Sequence, residues 1–112
     1  MPSFKQGDVI KVPFPYTDRP TRQSRPALVI STGELEKRHG LLWVAMITSA
    51  GNRAWREDVS VSNLKMAGLP FPSVIRSAKI ATIEASDASK IGSVSAARMK
   101  QVKKWITAEL GC

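Results

Sequence analysis

Apolar and polar positions alternate in short bursts along most of this chain and switch to a helical period only near its C-terminus. Val9, Ile10, Val12 and Phe14, broken by Lys11, form the first burst, as on a strand whose faces differ in burial. Pro13 and Pro15 predict that this strand ends there or lies at a sheet edge. Residues 16–25 (YTDRPTRQSR) carry no period and read as a mobile loop. ALVIS (27–31) is a continuous apolar run, the pattern of a central strand buried on both faces. TGELEKRHG (32–40) is a polar connection with room for a single helical turn, and LLWVAMITS (41–49), the most apolar run, predicts the core strand.

AGNRAWRE is again polar, with Gly51-Asn52 as its turn signal. DVSVS (58–62) alternates and predicts a strand with one wet face. NLKMAGLP has room for one helical turn, closed by Gly68 and Pro70. SVIR (73–76) and KIATIE (79–84) are separated only by Ser77-Ala78, so they are two strands, one bent strand or a strand with a bulge. Then the period changes. Val94, Met99, Val102, Ile106 and Leu110 fall at helical spacing, with Lys100, Lys103, Lys104 and Thr107 facing away. Ser95 is a good N-cap, Val94 and Met99 occupy the two positions of a hydrophobic staple, and Gly111 is placed for a left-handed C-cap. The prediction is a helix of about 15 residues. Strands at short intervals followed by one helix make the chain mainly β: a small antiparallel barrel with a C-terminal α-helix against it, one domain over residues 1–112.

The chain has 112 residues and is 43% hydrophobic, enough for one core. No apolar run approaches the roughly 18 residues of a membrane span. The start, MPSFKQGD, lacks the basic-then-apolar pattern of a signal peptide, and the single Cys112 can form no internal disulfide. A cytoplasmic protein with no membrane partner is expected. Seventeen Lys and Arg against nine Asp and Glu give +8 at pH 7, a field that favours nucleic acid or an acidic protein as partner.

One His, one Cys and unclustered carboxylates give no metal signature, and no phosphate-cradling glycine loop is present, so no metal or cofactor is expected. His39, in a polar stretch, reads as solvated. Arginine beside hydroxyl remains: Arg25 against the second strand, Thr48-Ser49 at the end of the next, Arg76 at the end of SVIR. Arginine holds a phosphate bidentately and stabilises a developing phosphorane, and RNA brings its own nucleophile, the 2′-hydroxyl. The plainer reading of the same residues is a surface ion-pair arginine and a Thr-Ser turn.

These segments resemble the MazF/PemK family of toxin endoribonucleases from toxin–antitoxin systems, most closely its PemK-like branch. The carrying residues are GDVIKVPFPYTD, RPALVIS, VAMITS, PSVIR…KIATIE and the IGSVS-led terminal helix, in family order over nearly the whole chain. The resemblance implies an SH3-like barrel, a homodimer, and metal-free cleavage of single-stranded RNA to a 2′,3′-cyclic phosphate and a 5′-hydroxyl, restrained by a cognate acidic antitoxin. By position, Arg25 matches the family's catalytic arginine, Thr48 its catalytic threonine, and Arg76 an arginine assigned as general acid in some members. Tyr16, Arg19, Arg22, Ser49, Arg53, Trp55, Arg56 and Lys79 are the expected RNA contacts. Of the aromatics, Trp55, between Arg53 and Arg56, is the side chain expected to stack on a base or meet the antitoxin; Phe14, Trp43 and Trp105 read as core or, for the tryptophans, dimer contacts. Some members carry an acidic residue, proposed as general base, two positions after the arginine matched by Arg76; here that position is Ala78, and no base is assigned. Two rivals stay open: a toxin of the same fold that binds DNA gyrase through its terminal helix, and a catalytically silent RNA-binding barrel.

Overall fold

The computed structural model of the chain describes residues 3–15 and 22–111, with residues 14, 15, 22 and 23 described as backbone only. Among the described residues, six strands and three α-helices follow in the order β1 (Asp8–Pro15), β2 (Arg22–Val29), α1 (Gly33–His39), β3 (Leu41–Ser49), β4 (Asp58–Ser60), α2 (Leu64–Ala67), β5 (Ser73–Glu84), β6 (Ser89–Ser93) and α3 (Ala96–Leu110), with a 3-10 turn at Ala85–Asp87 between β5 and β6. The strands make one antiparallel sheet, β4-β5-β3-β2-β1-β6, curled like a barrel with β4 and β6 left as its edges. The expected mainly-β architecture with a C-terminal helix is what forms.

Three features that the sequence pattern missed or left open shape the site. Of the loop expected over residues 16–25, residues 22–25 are strand instead, because β2 begins at Arg22 and pairs with β1 out to Pro15↔Arg22, while residues 16–21 lie outside the described residues. Pro13 and Pro15 do not stop this pairing, since β6 pairs β1 only over Asp8–Lys11 and β1 is an edge beyond. SVIR and KIATIE are one twelve-residue strand. Its register on β3 jumps from Met46↔Arg76 to Ala45↔Ile80, so Ser77, Ala78 and Lys79 form a bulge. The third is β6, SKIGS, which no pattern announced: its one large apolar residue, Ile91, packs on the core while polar residues flank it.

Side-chain alternation gives the sheet two apolar faces. Val9, Leu28, Ala45, Ile47, Val59 and Ile75 lie on one, covered by Met99 and Val102 of α3 and by Ala67 and Leu69. Ile10, Val12, Ala27, Val29, Leu42 and Val44 lie on the other, with Phe4, Ala81 and Ile83 packed against them. ALVIS is buried along its whole length, as its pattern required. In α3 the Ser95 hydroxyl accepts from the Arg98 N–H at 3.3 Å, and Gly111 caps the other end at φ 78°. Leu110, counted on its apolar stripe, is instead 72% exposed, because the core ends before the last turn. Trp105 packs on the core, whereas Trp43 is 51% exposed and is not a core residue.

The turn after α2 meets β6 backbone to backbone. A Cβ on Gly68 would lie 2.0 Å from the Ile91 carbonyl oxygen, and one on Gly92 would lie 2.3 Å from the Ala67 carbonyl carbon. Only glycine at both positions allows this approach.

Candidate functional site

Pairing between β2 and β3 ends at Ala27↔Met46. Two residues beyond that pair, on the same face, stand Arg25 and Thr48, one on each strand. A cleft of about 300 Å³ opens between the strand ends, and both residues line it, with Ser49. Arg76, opposite Met46, lies on this face too; since Val74 is opposite Thr48, Arg76 is a diagonal neighbour about 7–8 Å from it between α-carbons. Three strands thus bring Arg25, Thr48 and Arg76 to one end of the sheet, although they are far apart in sequence.

Their surroundings differ. The Thr48 hydroxyl oxygen accepts from the Asn52 side-chain amide at 2.6 Å, which leaves the hydroxyl hydrogen to donate elsewhere. Arg76 does not line the cleft. Its Nε is 3.7 Å from Asp58 Oδ1 on β4, one of its terminal nitrogens donates to the Arg53 carbonyl, and its guanidinium lies 4.4 Å from the centroid of the Trp55 ring. Asp58 also accepts from the Trp55 N–H at 2.9 Å, tying the 53–58 segment to β5. That pair, with side chains 11% and 9% exposed, directs the guanidinium toward β4 and away from Thr48.

The other expected RNA contacts are spread out. Trp55 is 39% exposed beyond its contact with Arg76. The Arg56 guanidinium lies 5.9 Å from the centroid of the Trp105 ring on α3. Lys79, in the β5 bulge, is exposed and does not line the cleft. Tyr16 and Arg19 lie outside the described residues, as does the Arg22 side chain. Sequence reasoning missed Lys11, Phe71 and Ser73, which complete the cleft, and Asn52 and Asp58, which hold Thr48 and Arg76. The Gly51-Asn52 turn signal marks Asn52 only as a turn residue, and nothing local shows what these side chains meet, because the contacts are made across strands or a turn. Among the described residues no three His, Cys, Asp or Glu side chains are grouped as metal ligands, and no helix is long and apolar enough to cross a membrane.

A sequence model of the PemK-like, MazF-like toxins of type II toxin–antitoxin systems matches residues 5–110. The chain belongs to this family. Its fold is that of solved MazF structures. It superposes on MazF in a MazE–MazF crystal structure from Deinococcus radiodurans with a TM-score of 0.79 at 18% identity, covering 96% of this chain and 95% of that one. An endoribonuclease in complex with its cognate antitoxin, from a Mycobacterial species, superposes with a TM-score of 0.77 at 16% identity over 97% of this chain and 96% of that one. The toxin MazF-mt6 of Mycobacterium tuberculosis gives 0.68 at 23% identity over 91% and 95%. No curated protein matches the chain.

Proposed function

We propose that this PemK-like toxin is a metal-independent, sequence-specific endoribonuclease of single-stranded RNA, an mRNA interferase. The observation that carries the proposal is that Arg25 and Thr48 line one cleft on a +8 domain of this family. In the proposed reaction the 2′-hydroxyl attacks the adjacent phosphorus, the bond to the 5′-oxygen breaks, and the products are a 2′,3′-cyclic phosphate and a 5′-hydroxyl. Arg25 binds the scissile phosphate and stabilises the charge that builds on its non-bridging oxygens. Thr48, its oxygen engaged by Asn52, donates its hydroxyl hydrogen to one of those oxygens. Arg76 contributes positive potential from the next row of the sheet; a direct contact with the phosphate requires its guanidinium to leave Asp58.

Asp58 is not the base missing at Ala78. It is on the far side of β5 from Thr48 and two residue pairs further along the strands, so with strands about 4.8 Å apart it lies beyond hydrogen-bond reach of a 2′-hydroxyl at Arg25 and Thr48.

The test is incubation of the purified protein with single-stranded RNA in EDTA, comparing wild type with Arg25→Ala and identifying the ends. Cleavage to cyclic-phosphate ends, slowed at least about 100-fold in the variant, is expected. No cleavage, or equal cleavage by both proteins, refutes the assignment. By the same reading the toxin is cytoplasmic and pairs with an acidic antitoxin, as the mycobacterial relative does with its cognate antitoxin. It also forms a homodimer, for which Trp43 and Ile80, 51% and 44% exposed on neighbouring strands, offer apolar surface.

One observation favours the gyrase-binding reading: Leu110 stands exposed at the end of α3. Toxicity lost on truncation before Leu110 but kept in Arg25→Ala would select it.

A further inference from the structure

The cleft beside Arg25 and Thr48 is larger than a phosphate needs, and most of its wall is apolar: Pro26, Ile47, Leu69, Pro70, Phe71 and Ile91. Phe71 stands at its side 68% exposed, while Ile47 and Leu69 are buried in the core. We propose that this cleft holds one unstacked nucleobase next to the scissile phosphate, stacked on Phe71, and that Phe71 is a specificity-determining residue. This rests on the endoribonuclease reading and names what the site takes besides the phosphate.

Four observations carry it. The volume, about 300 Å³, is at the small end of ligand pockets, suited to a single ring system. Lys11 and Arg25 supply cations at the same cleft, so a base and its phosphate are accommodated together.

The segment bearing Phe71 is held in place before any ligand arrives. Gly68 abuts the Ile91 carbonyl, and the Leu69 N–H donates to the Leu64 carbonyl at 2.9 Å. The Pro72 carbonyl accepts from the Ala50 N–H at 2.9 Å, and the Ser73 hydroxyl donates to the Phe71 carbonyl at 2.7 Å. An exposed aromatic ring on a fixed backbone loses little freedom on binding, which is what a stacking platform requires.

The cleft also has a polar edge suited to a base. Ser49 and Ser73 face each other across β3 and β5, and both line the cleft. Ser73 has given its hydrogen to the Phe71 carbonyl and keeps lone pairs to accept with. Ser49 Oγ accepts from the Gly51 N–H at 3.3 Å and keeps its hydrogen to donate. A donor beside an acceptor matches the hydrogen-bonding edge of an unstacked base, the form in which proteins read single-stranded RNA.

The experiment compares wild type, Phe71→Ala and Phe71→Trp in two assays. In the first, a randomised single-stranded RNA pool is cleaved in EDTA and the cut sites are sequenced. In the second, short uncleavable all-deoxy oligonucleotides carry a fluorescent purine analogue at each position in turn, and stacking is read as quenching. Phe71→Ala is expected to relax the preference at one nucleotide beside the cut, raise KM about 5- to 150-fold with kcat little changed, and abolish quenching at one position, all restored by Phe71→Trp. Cleavage with an unchanged preference at every position and quenching independent of Phe71 overturns the base site and leaves the nuclease reading standing. Phe71-dependent quenching without RNA cleavage keeps the base site and removes the nuclease reading. Failure to bind either nucleic acid removes both.

Discussion

Arg76 and Asp58 oppose each other across β5 and β4 with Nε and Oδ1 3.7 Å apart, close enough for charge attraction and too far for a hydrogen bond. Both atoms are buried without a hydrogen-bond partner. Asp58→Asn therefore leaves a nearly buried guanidinium without its countercharge and should lower stability in urea by about 1–3 kcal/mol. Arg76→Gln in the Asp58→Asn background should cost less than in wild type. Strictly additive effects in this double-mutant cycle would show that the pair is not coupled.

The Asn52–Thr48 contact predicts a catalytic effect without a binding effect. Asn52→Ala should lower kcat about 10-fold on single-stranded RNA and leave KM unchanged, since a lost hydrogen bond of about 1.4 kcal/mol orients the hydroxyl rather than gripping substrate. In Thr48→Ala the same change should have no further effect. Single-turnover kinetics on the four proteins tests this, and a further loss in the double variant would contradict it.

Gly92 and Gly40 separate contact from backbone strain. Gly92→Ala drives a methyl group against the Ala67 and Met66 backbone, 2.3 Å and 2.5 Å away, and should force α2 off β6 at a cost of about 3 kcal/mol or prevent folding. Gly40 has φ 69°, but a methyl group there would meet nothing within 4 Å, so Gly40→Ala should cost only about 1–2 kcal/mol. Thermal melts order the two; equal losses would disprove the close approach.

Ser95→Ala should cost about 1 kcal/mol by removing the acceptor for the Arg98 N–H at the start of α3. Ser95→Asp should retain most of the stability, because an aspartate also caps. The measurement is urea denaturation, and an unchanged midpoint in Ser95→Ala would argue against the cap.

The local elements were legible in the sequence because their signals are local. Ser95, the Val94–Met99 staple and Gly111 delimit α3 at 15 residues, and Gly68 closes the short α2 in the left-handed conformation. LLWVAMITS is β3 residue for residue. Resemblance in motif order pointed to Arg25, Thr48 and Arg76, and the sheet places them on one face at one end. What propensity and period could not reach were relationships made by pairing. RQSR (22–25) has the composition of a loop and becomes strand because β1 pairs with it, and SKIGS becomes β6 only because Asp8–Lys11 offers an open edge.

The chain's alternation, caps and charge determined a basic, mainly-β protein ending in a helix, since each depends on neighbours within a few residues. Tertiary structure decided which groups face one another. It put Asn52 on Thr48, drew Arg76 onto Asp58 and Trp55, and opened the cleft of Lys11, Phe71 and Ser73 where β2 and β3 part. Those contacts depend on strand register and on the bulge at Ser77–Lys79, which are settled by the packing of two apolar faces together and not by any stretch alone.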